Sequence, residues 1–414
     1  MAKKVTATIL FVDIMDSVEI ANYWDTRRYS DFLNEFRRVM LRGISAYEKD
    51  IKDVQLKGDE LVVFYASGDV RRDVAYAVHL ANMLKILWYT SRTNFGRIRE
   101  GKKILDLGIG INTGEVISDY RPIINGTQKF AGRRRTYEGF AISLAKRIEG
   151  FSRLGKYSRI MAGHRTIAEL GRLYHHYEYQ FMGLQKFRGM SQGIPVFELK
   201  SCYSQEAELL AELDFKLVTN QLEQIRMFDP GNVWLLMILI GIYSKKKNHK
   251  KVEKLCREAL TVDDSVSNIH YELGVSLHEQ KKYEEALKHF DTAINLRRDC
   301  WISYVGKSVC LLNLESWDEC IETCRYAIGK IPTWLKGQFC DDLYYYMAAA
   351  YAWKGHVKKA IANIKKAIQF GGAEIIRQLQ KDQGENFCNL YDNAEFKRLR
   401  QGKWKKDGKG RVRK

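Results

Sequence analysis

The hydrophobic periodicities predict two architectures in one chain, an α+β unit over roughly the first 200 residues and an all-α solenoid over most of the remainder. Three observations carry this. Short apolar runs rich in Val and Ile alternate with amphipathic helical stretches as far as Lys200. Asp13 and Asp59 stand at the end or the turn of two of those runs. Farther on, Ala259, Ala293 and Ala327 recur at intervals of 34 residues, the signature of stacked two-helix units.

Val5 to Val12 reads as a buried strand whose carboxyl end carries Asp13, and Tyr29 to Tyr47 as a helix. Leu56 to Phe64 reads as a strand pair folded at Gly58, with Asp59 at the turn, and Val70 to Tyr89 as a second helix. LDLGIGINTGEVI follows as a strand, TYEGFAISLAKRIEG is placed on a helix, and IPVFELK closes the unit as a strand. The expected result is a βαββαβ-like sheet with helices on one face. Two carboxylates on separate elements suit hard cations such as Mg²⁺ or Mn²⁺, which take a few carboxylates, keep waters and accept phosphate oxygens. Phosphoryl-transfer chemistry is the implied class. The glycines of LGIGINTG lie on strand residues and not on a turn opening a helix, so neither a Walker loop nor a dinucleotide fold is indicated.

FVDI, KGDE, GINTGEV and YEGFAISLAKRIE stand in the order and at about the spacing of the class III nucleotidyl cyclase homology domain, which residues 1–200 therefore resemble. The resemblance implies a ferredoxin-like α+β fold and cyclisation of a nucleoside triphosphate with two Mn²⁺ or Mg²⁺ ions per site. It assigns Asp13 and Asp59 to both metals and the Ile14 carbonyl to one of them. Backbone N–H groups of Asp16 to Val18 would meet the β and γ phosphates, and Arg188 the terminal phosphate. Arg147 takes the place of the transition-state arginine, and Ser143 stands where the family usually has asparagine; its hydroxyl can still bond a ribose oxygen, on a shorter arm. The family also implies a homodimer whose partners share each site.

The base-selecting pair departs from the family patterns. Gln55 and Thr136 stand three residues before Gly58 and Gly139, where adenylate cyclases typically present Lys and Asp and guanylate cyclases Glu and Cys. A glutamine amide carries donor and acceptor together and by flipping satisfies either kind of base edge. A pair unlike both purine patterns also resembles the pyrimidine cyclases of bacterial antiphage signalling, so UTP or CTP is the expected substrate, with ATP the rival. Arg133, Arg134 and Arg135 are read as a loop entering the pocket, to engage phosphate or base edge or to remain a solvated basic loop.

The second half resembles a tetratricopeptide array. Its clearest unit, SNIHYELGVSLHEQKKYEEALKHFDTAINLRRD, places Leu273, Gly274, Leu277, Ala286, Phe290 and Ala293 where paired helices need small and large residues. Units from Val233 to Asp263 and from Trp301 to Pro332 are more degenerate, and a fourth follows with Ala348, Tyr351, Ala360 and Ala367. Six extra residues around Thr333 to Cys340 are expected to lengthen a connection. The domain reading is cyclase 1–200, connecting helix 201–231 (Ser204 to Phe228 helical), repeats 232–370, and a C-terminal helix with a basic tail, 371–414. The repeats would bind a protein partner or a ligand.

Charge and cysteines bound the remaining classes. The formal net charge is +18, yet the last fourteen residues hold seven Lys or Arg against one Asp and so supply six of it. That tail is expected to be disordered, and the remaining excess suits a triphosphate binder without requiring nucleic acid. All eight cysteines lie at or beyond Cys202 without paired zinc spacing, and Cys320 and Cys324 share one helix face as core residues. A reducing cytoplasm is the implied setting. No run is long and apolar enough to span a membrane, and the opening MAKKVTATILFVDI reads as part of the fold, not a signal peptide. A degenerate cyclase acting as a tetratricopeptide adaptor is the competing function.

Overall fold

The computed structural model describes residues 2–45, 50–125, 128–173, 177–201, 215–382, 386–402, 405–406 and 412–413, with backbone alone for 121–125, 128–134, 172–173, 201, 215 and the last two pairs. They form two compact units, 1–246 and 247–414.

In the first unit, β1 (Lys3–Ile14), β2 (Ile51–Lys57), β3 (Glu60–Tyr65), β4 (Leu107–Asn125), β5 (Gln128–Glu138), β6 (Ile160–Gly163), β7 (Glu178–Gln185) and β8 (Ile194–Ser201) make one sheet. Its order is β2-β3-β1-β4-β6-β8-β7, with β5 paired to β4. Among the described residues only the β4–β6 pair runs parallel. The helices are α1 (Ser17–Tyr23), α2 (Thr26–Ser45), α3 (Val70–Tyr89), α4 (Arg92–Arg99), α5 (Phe140–Glu149), α6 (His164–Leu173), α7 (Phe215–Phe228) and α8 (Val233–Lys245).

Strand alternation in β1 decides the layering. Leu10, Val12 and Ile14 pack with Phe32, Phe36 and Met40 of α2 and with the apolar side of α3. Ala7, Ile9 and Phe11 point the other way, into a cluster with Val62, Phe64, Tyr137, Ala141 and Ala145. Helices therefore cover both faces, not one as the sequence suggests, because α5 brings its own alanine stripe to the second face. The α5–β4 approach is very close. A Cβ on Gly110 would lie 2.4 Å from the Glu149 backbone nitrogen and 2.5 Å from the Ala145 carbonyl oxygen. The glycines of LGIGINTG thus admit a helix backbone, and the Asn112 amide fixes it by donating to the Ala141 carbonyl at 3.0 Å.

A second departure concerns the basic segment before Gly139. Arg133 to Arg135 and Thr136 lie on strand β5, not on a loop or on the following helix, since β4 continues to Asn125 and folds back with Asp119 opposite Thr136 and Tyr120 opposite Arg135. The side chains of Arg133 and Arg134 lie outside the described residues.

After the sheet, α7 covers the described part of the expected connecting helix; residues 202–214, including Cys202, lie outside the description. α8, read from sequence as the opening of the first repeat, falls in the first unit and packs on α3. The Trp234 indole donates to Asn82 Oδ1 at 3.3 Å and meets the Tyr89 ring edge-on at 5.2 Å.

The second unit is helical: α9 (His249–Val262), α10 (Ser267–Glu279), α11 (Tyr283–Leu296), α12 (Trp301–Asn313), α13 (Trp317–Lys330), α14 (Lys336–Trp353), α15 (Val357–Gly371), α16 (Ala373–Lys381) and α17 (Ala394–Arg400). Phe290 lies against Gly274 and Gly306, where an added Cβ would come within 2.8 and 2.4 Å of its ring. Cys320 and Cys324 are fully buried, with the Cys324 thiol 3.2 Å from Ser308 Oγ. The extra residues near Thr333 extend a helix more than a connection: α14 has 18 residues against 13 in α10, and its added turns bury Phe339, Cys340 and Leu343. In the tail, Lys405–Lys406 pairs with Val412–Arg413 where the sequence suggests disorder; residues 403–404, 407–411 and 414 lie outside the description. Among the described residues no helix is long and apolar enough to cross a membrane.

Candidate functional site

The candidate site forms where β1 ends beside the β2–β3 turn. Asp13 is paired in register with Glu60 across β3 and with Gly108 across β4. Gly58, at φ 64°, supplies the left-handed turn residue that lets Asp59 follow directly. Asp13 lies on the α5 face of the sheet, as the odd-numbered register of Phe11 requires. Burial raises its pKa above the usual carboxylate value; Lys146 opposes this, and the negative charges of Asp59 and Glu60 add to it. Asp59 is thus an electrostatic neighbour of Asp13.

Lys146 is the centre of this cluster. Its Nζ lies 2.6 Å from Glu60 Oε2, 3.3 Å from Glu149 Oε2 and 3.5 Å from Asp13 Oδ2. Burial works against the ammonium, but Glu60, Glu149 and Asp13 together raise its pKa. The Glu149 carboxyl is pushed up to about 7, first by burial and then by Asp13, with Lys146 pulling the other way. Sequence reasoning missed Lys146 and Glu149, although both stand in SLAKRIEG; it quoted Glu60 in KGDE without giving it a role.

On the same helix Ser143 is exposed and Arg147 half-buried, four residues apart and so on one side of α5. Arg147 has no ion-pair partner among the described residues. Arg188 is exposed on the turn between β7 and β8, and no contact joins it to the acidic cluster among the described residues. The Ile14 side chain is fully buried, and its backbone is paired with Leu107.

The other sequence-assigned residues lie on β2 and β5. Gln55 is exposed and its Nε2 donates to Asp53 Oδ2 at 2.9 Å. Thr136 Oγ1 donates to the Asp119 carbonyl at 3.3 Å. Next to Thr136, Tyr137 stacks on Phe64 at 4.8 Å and feels the charge of Asp53. Arg135 donates to the Tyr120 hydroxyl at 2.7 Å, with its guanidinium over that ring.

Behind the site runs a buried ionic network that no sequence motif marks. Lys85 of α3 is fully buried and its Nζ contacts Asp106 Oδ1 at 2.5 Å; Arg159, at φ 59°, reaches Asp106 Oδ2 at 3.1 Å. The Asp106 carbonyl accepts the Met15 N–H at 3.0 Å, which ties the network to the loop that follows Asp13. Lys85 also lies over the Tyr89 and Trp234 rings, so α3 and α8 share the same cation.

Asp13 and Asp59 offer carboxylate oxygens, the donor type a hard divalent ion takes, and no group of three or more His, Cys, Asp or Glu side chains arranged for a metal occurs among the described residues. Mg²⁺ and Mn²⁺ are commonly held by one or two carboxylates, with waters and substrate phosphates completing the shell.

Residues 267–300 match the family model for the tetratricopeptide repeat. The helix pair α10 and α11 within that span is thus tetratricopeptide-like. The first half is similar to solved cyclase structures. With the adenylyl cyclase CyaB from P. aeruginosa the identity is 19% and the TM-score 0.40, over 48% of this chain and 95% of that one. With the guanylyl cyclase Cya2 the identity is 19% and the TM-score 0.39, over 48% and 93%. A curated relative, the Hsp70-Hsp90 organising protein of Plasmodium falciparum (isolate 3D7), is 26% identical over 132 residues, which are 30% of this chain and only 23% of that protein.

Proposed function

We propose that the first unit is a nucleotidyl cyclase that converts a nucleoside triphosphate into its 3′,5′-cyclic monophosphate and pyrophosphate. The observation that carries this is the convergence of Asp13, Asp59 and Glu60 at one end of β1, with α5 bringing Lys146 to them and keeping Ser143 and Arg147 on a shared side. In the reaction the 3′-oxygen bonds to the α-phosphorus, the bond from that phosphorus to the bridging oxygen breaks, pyrophosphate leaves and the hydroxyl proton passes to water. Asp13, Asp59 and the Ile14 carbonyl would hold Mn²⁺ or Mg²⁺, which when bound favours the alkoxide and neutralises the triphosphate. Arg147, uncommitted to any ion pair among the described residues, is available to the charge that develops at the α-phosphorus. Ser143 orients the ribose, and Arg188 meets the terminal phosphate.

Gln55 and Thr136 are assigned to the base. A carboxylate only accepts, so the amide group facing Asp53 is the nitrogen. Gln55 keeps its carbonyl oxygen to accept from an exocyclic amine and its second Nε2 hydrogen to donate to a base carbonyl. The expected substrate is a pyrimidine triphosphate, CTP or UTP, and the product would be an antiphage second messenger made in the cytoplasm; ATP is the alternative. Purified chain with Mn²⁺ and each of the four triphosphates, with products separated by mass, tests the reading. No cyclic product from any of them would refute it.

The site is proposed to form across a homodimer, with carboxylates from one partner and Arg147 from the other. Mixing Asp59→Ala and Arg147→Ala chains should restore about a quarter of wild-type activity, because roughly half the dimers are mixed and each has one intact site. Inactive mixtures of parents that still dimerise would count against shared sites. The repeat match at residues 267–300 favours a second role for the other unit, as a surface for a protein partner or ligand, and in an inactive chain this adaptor role would be the whole function.

A further inference from the structure

We propose that Lys146 is a tethered counter-cation of the acidic cluster, holding Asp13, Glu60 and Glu149 together in the metal-free chain and competing with divalent ions for Asp13. Three carboxylates from three elements, β1, β3 and α5, converge on one ammonium at 3.5, 2.6 and 3.3 Å. Brought together without a cation they would repel one another. The ammonium is steered from its own helix, which lies hard against the sheet because Gly108 and Gly110 admit the α5 backbone and the Glu149 side chain to β4. The Phe11 ring lies 5.8 Å from the same Nζ.

Lys146 is not a duplicate of its neighbour. A helix turns about 100° per residue, so Lys146 faces the carboxylates while Arg147 lies on the side shared with Ser143. A divalent ion on Asp13 would stand within a few ångströms of the ammonium, and two cations at that separation repel. The lysine must then leave Asp13. Its side chain is 40% exposed on a flexible stem, so it can swing out, retaining Glu60 or meeting an incoming phosphate. Metal binding without nucleotide is therefore weak, and a triphosphate, by giving the displaced ammonium a new partner, strengthens it.

This inference rests on the preceding reading only in taking Asp13 as a metal ligand, and its test needs no turnover. Mn²⁺ is titrated into the full chain without nucleotide, and free ion is followed by its electron paramagnetic resonance signal. Lys146→Met, which keeps the length and removes the charge, should bind about tenfold more tightly than wild type or better. Lys146→Arg should stay near wild type, and adding Asp13→Asn to Lys146→Met should abolish the gain. Lys146→Gln serves as a second neutral variant, with melting curves to show that each chain is folded. Equal or weaker binding by both neutral variants overturns the proposal, as does a gain that survives Asp13→Asn, or no Mn²⁺ binding by any variant at millimolar ion. An active cyclase can fail this test and an inactive chain can pass it, so the two readings are judged separately.

Discussion

Removing one side of the buried Lys85–Asp106 pair should cost far more than removing the other, and the structure says which. Lys85 has no exposed side-chain surface and Asp106 only 11%. Burial lowers the Lys85 pKa, and Asp106 is the principal group resisting that shift. Asp106→Ala leaves a buried ammonium without its carboxylate and also strips Arg159 and the Leu107 N–H, which donates to the same carboxylate at 2.7 Å. Breaking a buried pair in this direction costs about 3–5 kcal/mol. Lys85→Met removes the charge and keeps much of the volume, while Asp106 retains Arg159; the cost should be about 1 kcal/mol. The double variant should be less stable than Lys85→Met by only about 1 kcal/mol, giving a coupling energy of roughly 2–4 kcal/mol. Urea unfolding of the full chain, read by hydrogen exchange of the β1–β4 ladder so that the first unit is scored separately, measures all three. Asp106→Ala proving no costlier than Lys85→Met would refute the reasoning.

Two further outcomes follow from named groups. His79 on α3 is buried, and burial lowers its pKa to about 4 from 6.5. The unfolded chain therefore binds the proton more readily, so this contribution to stability is complete above about pH 6.5 and is lost as pH falls toward 4, up to about 3 kcal/mol. A His79→Gln chain compared with wild type at pH 7.5 and 4.5 should show a smaller acid loss; identical losses would remove His79 from the account. Asp53→Asn gives Gln55 a partner that can accept or donate, so its amide can turn and its orientation is no longer fixed; the turnover ratio of CTP to UTP should change by about tenfold. A preference left unchanged in an active variant would show that the base is read elsewhere.

Most of the first unit's strands and helices were legible because their cues are local. Val5 to Val12 and Leu56 to Phe64 follow strand periodicity, and Gly58 marks the turn where the structure has a positive φ. The missed features depend on pairing across distance. β5 is polar and Arg-rich, so nothing in its own residues marks it as a strand; it becomes one by laying Arg135 against Tyr120 and Thr136 against Asp119. α8 carries an apolar run that suits either a repeat or a docking helix, and the contacts of Trp234 with Asn82 and Tyr89 decide for docking on α3. The length of α14 was hidden for a similar reason, since extra residues between repeats look alike whether they loop out or add buried turns.

The candidate site divides along the same line. Asp13 and Asp59 are legible because each ends or turns a strand, a place that sequence pattern can find. Lys146 and Glu149 are not, because a lysine and a glutamate in an amphipathic helix usually make a solvated i,i+3 pair of small worth. What removes them from that class is Gly110, which has no side chain to hold the helix off the sheet, so that the polar edge of α5 lands on the carboxyl end of β1. One strand glycine thereby converts a surface charge pair into part of an acidic cluster. The same helix turn that gives Lys146 to the carboxylates leaves Arg147 unpaired among the described residues, and two adjacent cations acquire different tasks from one residue's rotation.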